Sequence, residues 1–290
     1  MTKKIAVASG KGGTGKTTIS VNLSHFFNLR FPQKTILVDC DVEEPNDHLF
    51  FPKALEESSE EIFQQVASIN TDACVYCRDC VEYCEYHAIT VIPPVKYAKI
   101  DPELCHSCGA CFVACQHQAI DEIPNSLGHY KQQITKEGIR LAQGQLRIGS
   151  PMQTTLIKEI KKRIDSKAEI IVYDAPPGTS CPVVETIADA HFIVLVTEPT
   201  PFGLHDLKLT IELVRELKIP FSVIINKAGL GFEKMHDYLQ QENIDILGEI
   251  PFSKEYASHY SQGEILSHIS EDISKTYQEI IDQILIKLAI

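Results

Sequence analysis

The stretch KIAVASGKGGTGKTT, residues 4–18, decides the fold of this chain. Its first half is a short apolar run typical of a buried strand, and its second half fits the pattern G-x-x-x-x-G-K-[ST] from Gly10 to Thr17. Glycines let backbone amides wrap closely around phosphate oxygens, and a helix that begins at the end of such a loop adds a partial positive charge. We expect Lys16 to reach the β- and γ-phosphates of ATP and Thr17 to bind its Mg²⁺ ion. The predicted nucleotide loop consists of Gly10, Gly12, Gly13, Thr14, Gly15, Lys16, Thr17 and Thr18.

Apolar runs that alternate with amphipathic stretches follow the loop along most of the chain. Such runs predict strands at residues 35–39, 170–174, 191–197, 221–226 and 246–250. Residues 272–288 carry apolar side chains on one face and predict a terminal helix. Continuous apolar strands between helices indicate an α/β fold, a P-loop NTPase with a parallel sheet that is covered on both faces.

Eight of the ten cysteines fall into two copies of the pattern C-x2-C-x2-C-x3-C, offset by 31 residues. This spacing is similar to that of bacterial two-cluster ferredoxins, in which the fourth cysteine of each run ligates the other cluster. It predicts one 4Fe–4S cluster on Cys74, Cys77, Cys80 and Cys115, and a second on Cys84, Cys105, Cys108 and Cys111. Zinc ions or disulfides are the alternatives, although structural zinc sites usually take two separated cysteine pairs and dense cysteines in a reducing compartment favour metal.

The repeat interrupts the α/β pattern and predicts two domains. We expect a discontinuous ATPase domain of residues 1–57 and 124–290, with an inserted α+β ferredoxin-like domain of residues 58–123. Residues 128–149 are expected to form a β-hairpin or a pair of short strands. Two features depart from the ferredoxin pattern: the fourth cysteines are followed by Glu85 and Gln116 instead of proline, and Arg78 stands where the second copy has Gly109.

Charge and hydropathy limit the classes of partner. The formal net charge is −12, and residues 56–122, with twelve acidic and three basic side chains, hold nine of those charges. An acidic segment repels nucleic acid and anionic lipid; it either steers a basic protein partner or acts as a solubilising face. No run approaches the roughly 20 apolar residues of a membrane span. We therefore expect a cytoplasmic protein with no nucleic-acid partner and no stable membrane association.

Five fragments resemble the MinD/ParA superfamily of P-loop ATPases, which includes the nitrogenase iron protein and cluster carriers. They are KGGTGKT from Lys11, ILVDCDVEEPN from Ile36, IIVYDAPPGTS from Ile170, and IINKAG with IPFS near residues 224–253. The resemblance implies that Lys11 contacts nucleotide in a partner subunit, within a homodimer that closes on ATP binding. It also implies that Asp39 and Asp174 belong to the magnesium site, that Asp41 orients the attacking water, and that Asn226 and Pro251 adjoin the adenine.

The two remaining cysteines lie outside the repeat. Cys40 sits on a predicted buried strand, where packing is expected. Cys181 follows Asp174 by seven residues, a distance similar to that of a cluster-ligating cysteine in the nitrogenase iron protein. We expect Cys181 to pack at a helix start, with a metal site shared across a dimer as the alternative.

The whole arrangement resembles MinD-superfamily ATPases that carry an inserted ferredoxin domain. It implies an ATP-hydrolysing iron–sulfur protein that couples dimer closure to electron transfer or to metallocofactor assembly. Its partners would be a redox protein or a cofactor target. The alternatives are a positioning ATPase of the ParA/MinD kind without a redox role, and an ATP-dependent amide-forming synthase.

Overall fold

The computed structural model of the 290-residue chain describes residues 2–164, 167–263 and 270–289. The chain divides into two compact units. The larger unit comprises Met1–Ser59, Tyr130–Gln145 and Ile157–Ile290, and the smaller one comprises Glu60–His129 and Leu146–Leu156.

A large sheet forms the centre of the fold. Its strands are β1 (Lys3–Ala8), β2 (Thr35–Asp39), β3 (Leu55–Ile69), β6 (Ile120–Ile134), β7 (Arg140–Leu146), β8 (Ile170–Asp174), β9 (Phe192–Thr197), β10 (Phe221–Ala228) and β11 (Ile246–Pro251). Two further strands, β4 (Ile89–Ile92) and β5 (Tyr97–Ile100), form a separate antiparallel pair. The strand order is β11-β10-β9-β1-β8-β2-β7-β6-β3. Neighbouring strands from β11 to β7 are parallel. The predicted α/β class with a mostly parallel sheet is confirmed.

Helices follow most of these strands, as crossover connections between parallel strands require. They are α1 (Lys16–Arg30), α2 (Asp79–Glu82), α3 (Ala110–Ala114), α4 (Gln153–Arg163), α5 (Cys181–Ile187), α6 (Pro201–Leu217), α7 (Lys234–Gln241), α8 (Lys254–Ser261) and α9 (Glu271–Lys287). The predicted terminal helix is thus confirmed. Ser270 caps its start, since the Ser270 hydroxyl accepts the Ile273 amide at 3.3 Å. Tyr277 of this helix stacks on Phe26 of α1, with ring centroids 5.4 Å apart.

The apolar core lies between the sheet and its helices. Every residue of β2, β8 and β9 is buried, which explains why these strands are continuous apolar runs in the sequence. Residues 128–149 contain the end of β6, a turn and β7, as the hairpin prediction required. Beyond that prediction, β7 also pairs with β2 in parallel register.

The carboxyl ends of five neighbouring strands meet at one edge of the sheet. Parallel α/β sheets place ligand-binding residues beyond this edge, most often where the strand order reverses. The chain leaves β1 into the predicted phosphate loop, and β2 and β8 end at Asp39 and Asp174. Glu198 follows β9, and Asn226 lies near the end of β10.

Candidate functional site

The phosphate loop connects β1 to the first turn of α1. Gly13 and Gly15 adopt positive φ angles of 78° and 89°, a region that costs other residues about 1–2 kcal/mol. A Cβ atom on Gly15 would lie 2.1 Å from Nδ2 of Asn226, which itself donates to the Thr14 carbonyl at 2.7 Å. Only glycine fits at this position, and the loop and β10 are thereby held in close contact.

Asp174 connects the first two turns of α1 to β8. Its carboxylate accepts from Lys16 Nζ at 3.0 Å, from Thr17 Oγ1 at 2.8 Å and from Ser20 Oγ at 2.8 Å. Burial alone would lower the pKa of Lys16, but the adjacent Asp174 carboxylate outweighs it and the pKa is raised. The structure therefore brings together Lys16, Thr17 and Asp174, with the lysine fully charged.

Three buried carboxyl groups gather beside this lysine. Asp39, Asp47 and Asp174 each place an oxygen within 4.8 Å of the others. Asp39 accepts the backbone N–H groups of Asp41 at 3.0 Å, Asn46 at 2.7 Å and Asp47 at 3.1 Å. Burial, together with the charge of Asp174, nevertheless raises the pKa of Asp39 to about 7. Hard carboxylate oxygens at this spacing suit a divalent cation such as Mg²⁺.

Asp47 was missed by the sequence analysis. It lies in a short 3-10 turn, Asp47–Phe50, outside the motifs that carry the family resemblance. The signal that could have revealed it is an acidic residue just ahead of Phe50 and Phe51, both of which are buried. Burial and the neighbouring Asp39 raise the pKa of Asp47 well above its ordinary value.

Asp41 occupies a different environment from these three acids. It is half-buried, and its Oδ1 accepts the Glu44 amide at 3.5 Å. Burial raises the pKa of its carboxyl group, while the charge of Lys16 opposes the shift. This carboxylate is thus close enough to Lys16 to be influenced by it, yet it remains open to solvent.

Glu198 ties the predicted partner-contacting lysine to the loop. Its two oxygens accept from Lys11 Nζ at 2.6 Å and from Lys227 Nζ at 2.9 Å. Lys227 also donates to the Gly13 carbonyl at 2.8 Å. Burial alone would raise the pKa of Glu198, but the two lysines outweigh it and lower the pKa. Glu198 and Lys227 carry no motif, and the sequence analysis did not identify them.

The remaining predicted nucleotide residues surround the same loop. The hydroxyl of Thr14 is buried and has no hydrogen-bond partner within the described ranges, as expected of a group that awaits a ligand atom. Gly12 and Gly13 have open space where a Cβ would stand. Pro251 ends β11 and pairs with Ala228, two residues beyond Asn226. Thr18 is buried in α1. Gly10 lies close to the Asp206 backbone, where a Cβ atom would be 2.4 Å from the Asp206 carbonyl oxygen.

Two cavities in the smaller unit are lined by the repeated cysteines. One is lined by Cys74, Cys77, Cys80 and Cys115, among other residues. The second is lined by Cys84, Cys105, Cys108 and Cys111, among other residues. Each cavity thus takes three cysteines from one run and the fourth from the other run, which is the crossed arrangement that the spacing predicts.

The backbone around these cavities repeats with the same 31-residue offset as the sequence. Positive φ angles occur in pairs at Tyr76 and Ser107 (61° and 53°), Arg78 and Gly109 (76° and 71°), and His87 and Gln118 (52° and 50°). The hydrogen bonds repeat as well: the Asn70 amide donates to Ala119, and the Asp101 amide to Ala88, both at 2.8 Å. The two halves therefore exchange equivalent contacts, as two copies of one folded motif do.

Backbone amides point at two of the sulfur atoms. Tyr76 N–H donates to Cys74 Sγ at 3.4 Å, and Ala119 N–H donates to Cys115 Sγ at 3.3 Å. Burial, reinforced by neighbouring thiols, raises the pKa of Cys80 to about 11. The Cys80 thiol thus resists ionisation until a cation compensates its charge.

The two cysteines outside the repeat differ in environment. Cys40 is fully buried, which confirms that it packs in the core. Cys181, however, is exposed at the first position of α5. The expectation that Cys181 packs there is wrong, because the side chain points away from the core-facing side of the helix occupied by Val183 and Ile187.

The sequence of this chain is similar to those of several known proteins. The family described as CobQ/CobB/MinD/ParA nucleotide binding domain matches residues 5–266. An uncharacterized protein of Methanocaldococcus jannaschii is 32% identical over 286 residues, which cover 96% of each chain. An iron–sulfur cluster carrier protein of Aquifex aeolicus is 23% identical over 296 residues, which cover 95% of this chain and 65% of the carrier.

Solved structures show the same fold. The cell division ATPase MinD of Pyrococcus furiosus matches with a TM-score of 0.61 at 17% identity, over 98% of each chain. The septum site-determining protein MinD of Pyrococcus horikoshii, solved in complex with Mg-ADP, also gives 0.61, at 16% identity over 98% of this chain and 96% of that one. Across residues 2–164, 167–263 and 270–289, no helix has the length and apolar character needed to cross a bilayer.

Proposed function

Since the chain belongs to the CobQ/CobB/MinD/ParA nucleotide-binding family, we propose that it is an ATPase that carries two 4Fe–4S clusters and couples nucleotide turnover to electron transfer or metallocofactor assembly. The observation that carries the proposal is the pair of cavities, each lined by four cysteines drawn from both runs. The same chain also holds a complete phosphate loop.

The nucleotide half rests on the cluster of residues around α1. Lys16 is held in its charged form beside Asp174, ready to exchange that carboxylate for phosphate oxygens. Thr17 would hold Mg²⁺, with Asp39 and Asp174 orienting its water ligands and Asp41 positioning the attacking water. Bound Mg-ATP would supply a γ-phosphoryl group, whose transfer to water, with ADP as the leaving group, is catalysed mainly by positioning and charge stabilisation. Asn226 and Pro251 would adjoin the base.

The metal half rests on donor chemistry. Eight free thiols line two cavities, and thiolates are the ligands that iron–sulfur clusters take. The amides that donate to Cys74 and Cys115 supply the N–H···S contacts that tune such clusters. The clusters, when bound, supply one-electron transfer. The inserted segment would then be a ferredoxin-like domain, with the ATPase domain formed by residues 1–57 and 124–290.

Relatives and charge support the redox or carrier role. The Aquifex relative is named as an iron–sulfur cluster carrier, and it aligns with 95% of this chain. Proteins of that name from Pyrococcus horikoshii and Helicobacter pylori align at 21% and 22% identity. We further propose that ATP closes a homodimer in which Lys11 leaves Glu198 for the partner's nucleotide. The acidic segment suits a basic redox protein or cofactor target.

Metal analysis of anaerobically purified protein tests the cluster half. We expect about eight irons and eight sulfides per chain, and reduced protein with the EPR signals of interacting 4Fe–4S clusters. Replacing Cys77 and Cys108 by serine should each remove one cluster's signal. Zinc in place of iron, or no metal at all, would end the redox proposal.

ATP titration tests the nucleotide half separately. Lys16→Ala should abolish measurable ATP binding and hydrolysis while leaving the iron content unchanged. If the variant binds and cleaves ATP like the wild type, the assignment of the loop is wrong whatever the metal analysis shows.

A further inference from the structure

Asp47 is a buried carboxyl group without a hydrogen-bonding partner for its side chain. Its residue exposure is 0%, and in the described part of the chain neither of its carboxylate oxygens has a hydrogen-bond partner. Only its backbone is engaged, because the Asp47 amide donates to Asp39 at 3.1 Å. Buried polar groups are nearly always satisfied, so this one requires an explanation.

The surroundings make the lack of a partner costly. An oxygen of Asp47 lies within 4.8 Å of oxygens from both Asp39 and Asp174. The neighbouring cation, Lys16, is already bonded to Asp174 at 3.0 Å, so its one charge cannot also balance Asp39 and Asp47 in their ionised forms. An uncompensated buried charge costs several kcal/mol. All three acids can therefore be ionised together only when a further cation is present.

We propose that Asp47 completes a divalent-cation site with Asp39 and Asp174 that fills before nucleotide binds. All three donors are hard carboxylate oxygens, which Mg²⁺ and Mn²⁺ prefer. The Asp174 carboxylate is held by Thr17 at 2.8 Å and Ser20 at 2.8 Å, and Asp39 is held by three backbone amides. The Asp47 carboxyl group, by contrast, has no hydrogen bond within the described residues, so both of its oxygens are available to an ion.

The inference goes beyond the magnesium role proposed above for Asp39, Asp174 and Thr17. In that role the phosphates supply ligands and the carboxylates act through water, so the ion arrives with ATP. With Asp47 as a direct ligand, three carboxylates hold the ion without phosphate. The inference rests on the proposed placement of the magnesium site, and the test separates the two.

Mn²⁺ titration followed by EPR of the free ion tests the proposal in oxidised, nucleotide-free holoprotein under argon. The wild type should bind one Mn²⁺ ion, displaced by excess Mg²⁺. Asp47→Asn should weaken this binding about tenfold or more. The matched control is Glu43→Gln, which removes an exposed carboxylate from the same segment and should bind Mn²⁺ like the wild type.

Thermal melting supplies a second readout. In EDTA, Asp47→Asn should melt near the wild-type temperature, because burial and Asp39 raise the pKa of Asp47 well above its ordinary value and a neutral amide then replaces a protonated carboxyl group. Adding Mn²⁺ should raise the wild-type melting temperature and leave that of Asp47→Asn nearly unchanged, since only a folded site gains from the ligand.

Two results would overturn the inference. One is a wild type that binds no Mn²⁺ without nucleotide, a measurement that does not depend on how any variant folds. The other is equal weakening by Asp47→Asn and Glu43→Gln.

Discussion

Gly15 illustrates how a single position can fix the nucleotide loop. Its φ of 89° is left-handed, and a Cβ there would collide with the Asn226 amide at 2.1 Å. Gly13 shares the left-handed backbone at 78° but has open space around it, whereas Gly12 has neither constraint. Replacing the three glycines one at a time therefore distinguishes the cost of a left-handed backbone from the cost of a steric collision.

We predict a graded loss of stability when each glycine is replaced by alanine. Gly12→Ala should be neutral to slightly stabilising, Gly13→Ala should cost about 1 kcal/mol from strain, and Gly15→Ala should cost more because Asn226 must also move. Since 1 kcal/mol shifts the melting temperature of a chain this long by about 2–4 °C, calorimetry resolves the order. Equal melting temperatures for the Gly12 and Gly15 variants would contradict this account of the loop.

Asp39 should make the metal-free protein sensitive to pH. Its pKa is raised from 3.8 to about 7, so the folded state binds a proton more tightly than the unfolded state. The stabilisation from that proton is complete below pH 3.8 and is lost as pH rises through about 7. We predict that the melting temperature of Asp39→Asn in EDTA gains on the wild type between about pH 4 and pH 7. A difference that stays constant, or shrinks as pH rises, would contradict the raised pKa.

The positions of site residues were predictable where a motif joins sequence to geometry. Lys16, Thr17, Asp174 and Asn226 belong to recognisable fragments, and the structure brings them around one loop. Site residues outside such fragments were missed, because they reach the site only when segments far apart in the sequence come together in the fold. Glu198 bonds to Lys11 across 187 residues of chain, and spacing does not encode such a contact.

At the scale of elements, the smaller unit repeats its backbone as closely as its cysteines. Both α2 and α3 begin after a left-handed residue, Arg78 in the first copy and Gly109 in the second. A glycine adopts this conformation without the steric cost that arginine incurs. The first copy therefore carries strain that the second lacks.

We predict opposite effects on stability from placing glycine at position 78 and a residue with a Cβ at position 109. Arg78→Gly should leave stability unchanged or raise it slightly, because relief of strain offsets the entropy lost on ordering glycine. Gly109→Ala should lower stability by about 1 kcal/mol, because alanine is strained in the left-handed conformation. No collision adds to this cost, since the nearest neighbour lies 3.9 Å from the new Cβ. Melting temperature and the rate of iron loss to a chelator measure both. A larger loss from Arg78→Gly than from Gly109→Ala would contradict the equivalence of the two copies.

The core strands were predictable because burial on both faces leaves a continuous apolar run, and the terminal helix because burial on one face leaves a periodic pattern. The strands around the inserted segment were not. The first seven residues of β3 are all exposed, and the sequence LEESSEE shows neither alternation nor an apolar run. Pairing with its one neighbour in the sheet, β6, and not local composition, makes this segment extended.

At the scale of the whole molecule, the proposed function requires that two equilibria in one chain influence each other. Such coupling is a free energy, and it is reciprocal. If ATP changes the reduction potential of a cluster, then reduction must change the affinity for ATP by the corresponding amount. A tenfold change in affinity is about 1.4 kcal/mol, which equals about 59 mV for one electron.

We predict that a non-hydrolysable ATP analogue binds the reduced and oxidised holoprotein with affinities that differ several-fold. The midpoint potential, measured by EPR-monitored titration with and without the analogue, should shift by the amount that linkage requires. Lys16→Ala is the matched control: it keeps the cysteines and removes the bond to Asp174 at 3.0 Å, so its potential should not respond to the analogue. Equal affinities in both redox states, with a potential that nucleotide leaves unchanged, would mean that the chain carries an ATPase and two clusters without coupling them. An affinity change without the matching shift would instead show that reduction acts elsewhere than on the clusters whose potential is followed.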